Sequence, residues 1–173
     1  RARTYFLELN ENKVPAFKNT KIRQAISMAI NRDSFVKNVL ADGSIVARGI
    51  TPADLSQLPD SSTDYATAVA KNTKAITTYN KKKAQTLWAE GLKEVGTKTV
   101  DVELLGDDVD AVKATQEYLQ GALQENLPGL KISIASVPAK NRQQRAATHD
   151  FDMVLSTWGA DYPDPNTYLD LFT

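Results

Sequence analysis

Cysteine is absent from the 173-residue sequence, and histidine occurs once, at His149. Without thiols there are no disulfides, no thiolate zinc sites and no cysteine nucleophile. With one imidazole, a histidine-cluster metal site or a histidine-based triad has little to build from. An excess of charge is also missing, because 21 Lys and Arg balance 21 Asp and Glu. Phosphate binding needs a net basic face, so nucleic acid is not an expected partner. No apolar run is long enough to span a bilayer. The opening RARTYFLELN lacks the charged start and apolar stretch of a secretory leader. A glycine-rich phosphate loop, a serine elbow and a metalloprotease helix are all missing. No metal and no cofactor are therefore expected. The lack of cysteine leaves the compartment open.

What is present is ordinary for a globular chain: 42% apolar and 24% charged residues. That balance disfavours disorder, and the length suits one domain or a piece of something larger. RTYFLELN, Arg3 to Asn10, reads as a strand with apolar residues on both faces, hence as a buried one. Ile22, Ile26, Ala29 and Ile30 recur at helical spacing behind an N-cap at Thr20. A second helix is expected from near Asp33 to Gly43, burying Phe35, Val36, Val39 and Leu40. Residues 44–79 read as a long, loop-rich connection with weak helical pattern near its end. NKKKAQTLWAEGLKEVG is a strong helix, capped by Asn80, stopped by Gly96 and striped by Ala84, Leu87, Trp88, Gly91, Leu92 and Val95.

A regular alternation follows. Val100, Val102 and Leu104 mark a strand, and Asp107 is the expected cap of a long helix. Leu130, Ile132 and Ile134 mark the next strand. A polar helix over 140–148 leads to a last strand over 151–157. Helices between strands predict an α/β fold with a mixed or mostly parallel sheet flanked by helices. The Asp107–Asp110 acidic run is explained by a helix N-terminus and lacks a calcium-loop pattern.

The final stretch, STWGADYPDPNTYLDLFT, then falls just past the carboxyl end of a strand, where ligands sit in open α/β sheets. Trp158 offers a broad apolar face and one N–H, suited either to a core anchor or to a ligand wall. Asp164 has a structural role available as the cap of a short helix opened by Pro165. Asp161 has no such backbone role. Pairing with a ligand cation, capping and facing water all remain open to it. No catalytic constellation emerges, which favours binding over catalysis.

Three segments resemble a known family. FKNTKIRQAISMAINRDSFVKNVL is similar to the F-x-D-x-x-V-R-Q-A-I-x-Y-A-I-D-R wording of the peptide/nickel class of extracellular solute-binding proteins. TTYNKKKAQTLWAEGLKEVG is similar to their Y-x-P-x-K-A-x-x-L-L-x-E-A-G. HDFDMVLSTWGADYPDPNTYLDLF is similar to their D-F-D-x-x-x-x-x-W-x-A-D-Y-x-D-P-x-x-x-L. Order and spacing match over nearly the whole chain, most closely to oligopeptide-binding lipoproteins of ABC importers. Asn31 and Met28 depart from the pattern, as changes on the packing helices.

The resemblance implies one lobe of a type II periplasmic-binding-protein-like fold, here a single domain and part of the C-terminal lobe. Its implied partners are oligopeptides, ABC permease subunits and a missing first lobe. The implied location is extracellular or in the cell envelope, as a lipoprotein whose lipid anchor lies outside this sequence. By the same resemblance, Asp161 pairs with a peptide's N-terminal ammonium. Thr157 and Gly159 offer main-chain groups, and Trp158 walls a side-chain pocket with Ala160 and Tyr162 beside it. A docking lobe, or a binder of nickel, haem or a signalling peptide, is the alternative.

Overall fold

The computed structural model describes residues 3–59 and 61–173. Asp60, in the loop expected before the third helix, lies outside the described residues, as do Arg1 and Ala2.

One four-stranded mixed sheet organises the chain, in the order β1-β4-β2-β3. The strands are β1 (Arg3–Leu9), β2 (Val100–Asp107), β3 (Leu130–Val137) and β4 (Met153–Gly159). β2 runs parallel to both β3 and β4, while β1 closes one edge antiparallel to β4. The expectation of a buried first strand is therefore corrected. Among the described residues β1 has a neighbour on one side only, and Tyr5 is 45% exposed. Apolar residues on both faces do not report a strand's place in the sheet.

The helices are α1 (Thr20–Met28), α2 (Arg32–Phe35), α3 (Tyr65–Thr77), α4 (Lys81–Val95), α5 (Asp110–Asn126), α6 (Ala139–Ala147) and α7 (Asn166–Leu169). Asn19, one residue earlier than expected, caps α1 by accepting from the Ile22 N–H. α2 is a single turn capped by Asn31, and it continues as a π-helical turn over Val36–Leu40. The apolar residues there are only half-buried, against the burial expected of them. Inside 44–79, the weak pattern resolves into the 13-residue α3, capped by Asp64 and without a buried residue. Asn80 and Gly96 bound α4 as read, with Gly96 left-handed at φ 81°.

Period-two alternation divides the core between the two sheet faces. Val100, Val102 and Leu104 face α1, α4 and α5, meeting Ile22, Trp88 and Leu123 in the main core. Leu105 turns to the other face, with Val154 and Phe151. α6 lies over that second face through two ion pairs. Arg142 reaches Asp107 at 2.8 Å and Arg145 reaches Glu103 at 2.7 Å.

Gly91 sits where α4 crosses α1. A Cβ there would stand 2.6 Å from Cγ1 of the fully buried Ile22 and 3.0 Å from the capping Asn19 oxygen. Gly91→Ala should gain about 1 kcal/mol of helix propensity. Overpacking costs up to about 3 kcal/mol, so the net loss expected in urea unfolding is about 1–2 kcal/mol.

The β1 edge predicts a pH effect. Burial raises the Glu8 carboxyl above its ordinary 4.5, and nearby His149 only partly offsets this. The folded state thus holds this proton more tightly than the unfolded chain does. Its contribution to stability is full below pH 4.5 and is lost as pH rises through the higher folded value. Glu8→Gln should remove that loss, so unfolding free energies measured between acid and neutral pH should show a shallower decline than in the parent.

Candidate functional site

The site is built where β4 outruns β2. The β2–β4 ladder pairs only Leu104 with Met153 and Leu105 with Val154. Beyond Val154, β4 continues to Gly159 with β1 on one side and, among the described residues, no strand on the other. Which groups face that open side follows from one bond. Asn10 N–H donates to Asp152 O at 2.9 Å. Antiparallel hydrogen bonding alternates, so residues 154, 156 and 158 turn their backbone groups toward β1. Thr157 and Gly159 turn theirs toward the open side. Among the described residues, the β2–β4 ladder ends before them, at Leu105 and Val154. Asn10 also holds this register through its side chain, donating to His149 O at 2.9 Å and Phe151 O at 2.8 Å.

The open side is one wall of a groove of about 380 Å³, lined by Arg3, Asp107, Ala139, Arg142, Gln143, Thr157, Trp158, Gly159 and Asp161. Four of the six residues expected from sequence meet here: Thr157, Trp158, Gly159 and Asp161. The strand runs two residues further than the expected 151–157. Trp158 and Gly159 therefore belong to β4, and Ala160, Asp161 and Tyr162 lie past its end.

Asp161 is exposed, and its carboxylate makes no hydrogen bond or ion pair with the described residues. Its backbone is nevertheless fixed, because its N–H donates to Thr167 Oγ1 at 3.0 Å and Thr167 is buried. Asp164 takes the structural role expected of it, its Oδ1 accepting from the Asn166 N–H at 2.9 Å. The following turn is thereby held without using Asp161. Ala160 is half-buried and does not line the groove. Tyr162 turns away, its hydroxyl donating toward Asp170 at 3.5 Å. The Tyr162 phenol is pushed up by desolvation, and then by the carboxylates of Asp170, Asp164 and Asp161. The loop is thus an acidic environment. Trp158 is half-buried, and its indole N–H is buried without a partner among the described residues.

The opposite wall was not read from sequence. Asp107 does not cap α5. That helix begins at Asp110 after Val109, and Asp107 instead ends β2 and pairs with Arg142. Two residues of the acidic run do serve the helix start, Asp110 in its first turn and Asp108 paired with Lys113 at 2.6 Å. A signal for the second wall was present. Glu103 and Asp107 share one face of a strand, and Arg142 and Arg145 share one face of a helix.

Residues 1–173 match bacterial extracellular solute-binding proteins, family 5, middle part. The chain is 39% identical over 181 residues to a dipeptide-binding protein of Lactococcus lactis, covering 99% of this chain and 32% of that protein. It is 25% identical over 168 residues to the periplasmic oligopeptide-binding protein OppA of Escherichia coli, covering 96% and 29%. The chain thus spans about a third of the length of the curated relatives it matches. Among solved structures, a peptide-binding protein of a peptide ABC transporter superposes with a TM-score of 0.93 at 38% identity, covering 99% of this chain and 74% of that one. Listeria monocytogenes OppA bound to peptide superposes at 0.88 with 35% identity, covering 99% and 33%. The sheet with its flanking helices is of the periplasmic-binding-protein type, and the chain belongs to the family 5 bacterial extracellular solute-binding proteins.

Proposed function

We propose that this chain is one lobe of a two-lobed extracellular protein that captures peptides for an ABC importer and catalyses no reaction. The observation that carries the reading is the unpaired stretch of β4. A peptide lying along Thr157–Gly159 would bond main chain to main chain, as an added strand does. Such bonding gives affinity without reading sequence. Asp161 stands at the end of that edge on a fixed backbone, its carboxylate unpaired among the described residues and the natural partner of a peptide ammonium. Trp158 would wall a side-chain pocket beside it. The names of the matched relatives, a dipeptide-binding protein and an oligopeptide-binding protein, support the same solute class.

The lobe is an open half of a cleft. Tyr162, Leu171 and Phe172 follow β4 in the chain and are exposed, at 45%, 39% and 55%. A second lobe closing over the ligand would cover them. In the whole protein, a lipid anchor and permease subunits would then hold and receive the peptide.

Calorimetry tests the reading. The full-length protein containing this chain is titrated with a mixed free-amino peptide library and with the same library N-acetylated, alongside the 173-residue chain. Tight binding by the full-length protein, favouring free amines, is expected. Silence toward both libraries would transfer the groove to another solute or to a protein-docking role.

A further inference from the structure

We propose that the groove also holds a cationic subsite, formed by Arg142 and Arg3, that selects peptides carrying an acidic side chain near the amino end. This rests on the peptide-capture reading and adds a specificity to it.

The two guanidiniums are held differently. Arg142 meets Asp107 side-on, with Nε 2.8 Å from one carboxylate oxygen and Nη2 3.5 Å from the other. Its side chain is only 14% exposed. That geometry leaves Nη1 without a partner among the described residues. Asp107 is in turn fixed as the last residue of β2. Arg142 is therefore ordered in advance, with donors to spare. Arg3 is exposed at the groove mouth, where β1 pairs it with Gly159. It makes no ion pair or hydrogen bond with the described residues.

Charge in the groove then resolves simply. Arg142 and Asp107 offset each other, which leaves Asp161 and Arg3 as charges of opposite sign unmatched among the described residues. A ligand that satisfies both must bring a cation and an anion. With the ammonium on Asp161 and the main chain along Thr157–Gly159, successive ligand side chains alternate across the strand, every second one toward α6. A carboxylate on that side meets planar guanidinium donors and the Gln143 amide. Guanidinium and carboxylate pair in matched fork geometry. A peptide's own C-terminal carboxylate has the same chemistry, so the test separates the two sources.

Free-amino, C-terminally amidated tetrapeptides with Glu or Gln at the first, second or third position are titrated into the full-length protein. At one position Glu is expected to bind about 10-fold tighter than Gln at low salt, the ratio shrinking in about 0.5 M salt. Arg3→Gln, and separately the charge-neutral pair Asp107→Asn with Arg142→Gln, should each reduce that ratio to about 2. Circular dichroism melts check that both variants fold. Equal affinity for Glu and Gln at every position overturns the proposal, as does a preference that survives both variants. A preference that appears only with a free C-terminal carboxylate also overturns it, because the arginines would then read the chain end. Failure of every peptide to bind would instead overturn the peptide reading itself.

Discussion

Asp161→Ala in the full-length protein is expected to weaken binding of free-amino peptides by on the order of 30-fold, the low end for removing one partner of a desolvated charge pair. N-acetylated peptides should lose little further, because they bring no ammonium for the carboxylate to meet. The contrast is the informative part. Among the described residues, Asp161 bonds to the rest of the loop only through its backbone N–H, on Thr167. Removing the carboxylate therefore leaves the turn intact, and Asp164 continues to hold the helix that follows. Asp161→Asn should behave like the alanine variant, since an amide keeps the shape and loses the charge. An equal loss with both peptide classes would mean that the residue shapes the groove and does not pair with the amino end.

Much of this arrangement was legible in the sequence, and the limits have physical causes. Local signals carried well. Asn80 and Gly96 bound α4 because a cap and a left-handed stop act within one turn of chain. Asp164 was separable from Asp161 because Pro165 behind it marks a helix start. Adjacent caps defeated the same logic at α1, where Asn19 and Thr20 are both good acceptors and sequence alone does not choose between them. Non-local facts were out of reach. The place of β1 at the sheet edge depends on which strand it meets. The direction in which Thr157 and Gly159 aim their backbone groups depends on the Asn10–Asp152 bond, made across 142 residues of chain. The second groove wall needed β2 and α6 brought together, and there the Asp107–Arg142 pair overrode the helix-cap reading of Asp107. The resemblance named one wall of the groove. Only the fold supplied the other.

The largest loss of stability is expected at Trp88. Its side chain is among the largest that are fully buried, 1% exposed, between α4 and the sheet in the main core. Its indole N–H donates to Pro128 O at 2.8 Å, tying α4 to the turn before β3. Trp88→Ala would open a cavity and also strand that carbonyl, at a cost of about 4 kcal/mol. Small domains have only about 5–15 kcal/mol in total, so the urea midpoint should fall steeply. Trp88→Phe separates the two contributions. It keeps most of the apolar contact and loses the bond, so about 1–2 kcal/mol is expected. An alanine loss as small as the phenylalanine loss would mean that the core collapses around the gap and that Trp88 does not pin α4. The phenylalanine variant has a further use, because the chain has two tryptophans. With Trp88 gone, Trp158 is the one remaining indole of this chain. Half-buried in β4 at the groove, it would report through its own emission whether a peptide settles along the open strand edge. A peptide bound with no change in that emission would place the ligand away from Trp158 and count against the groove.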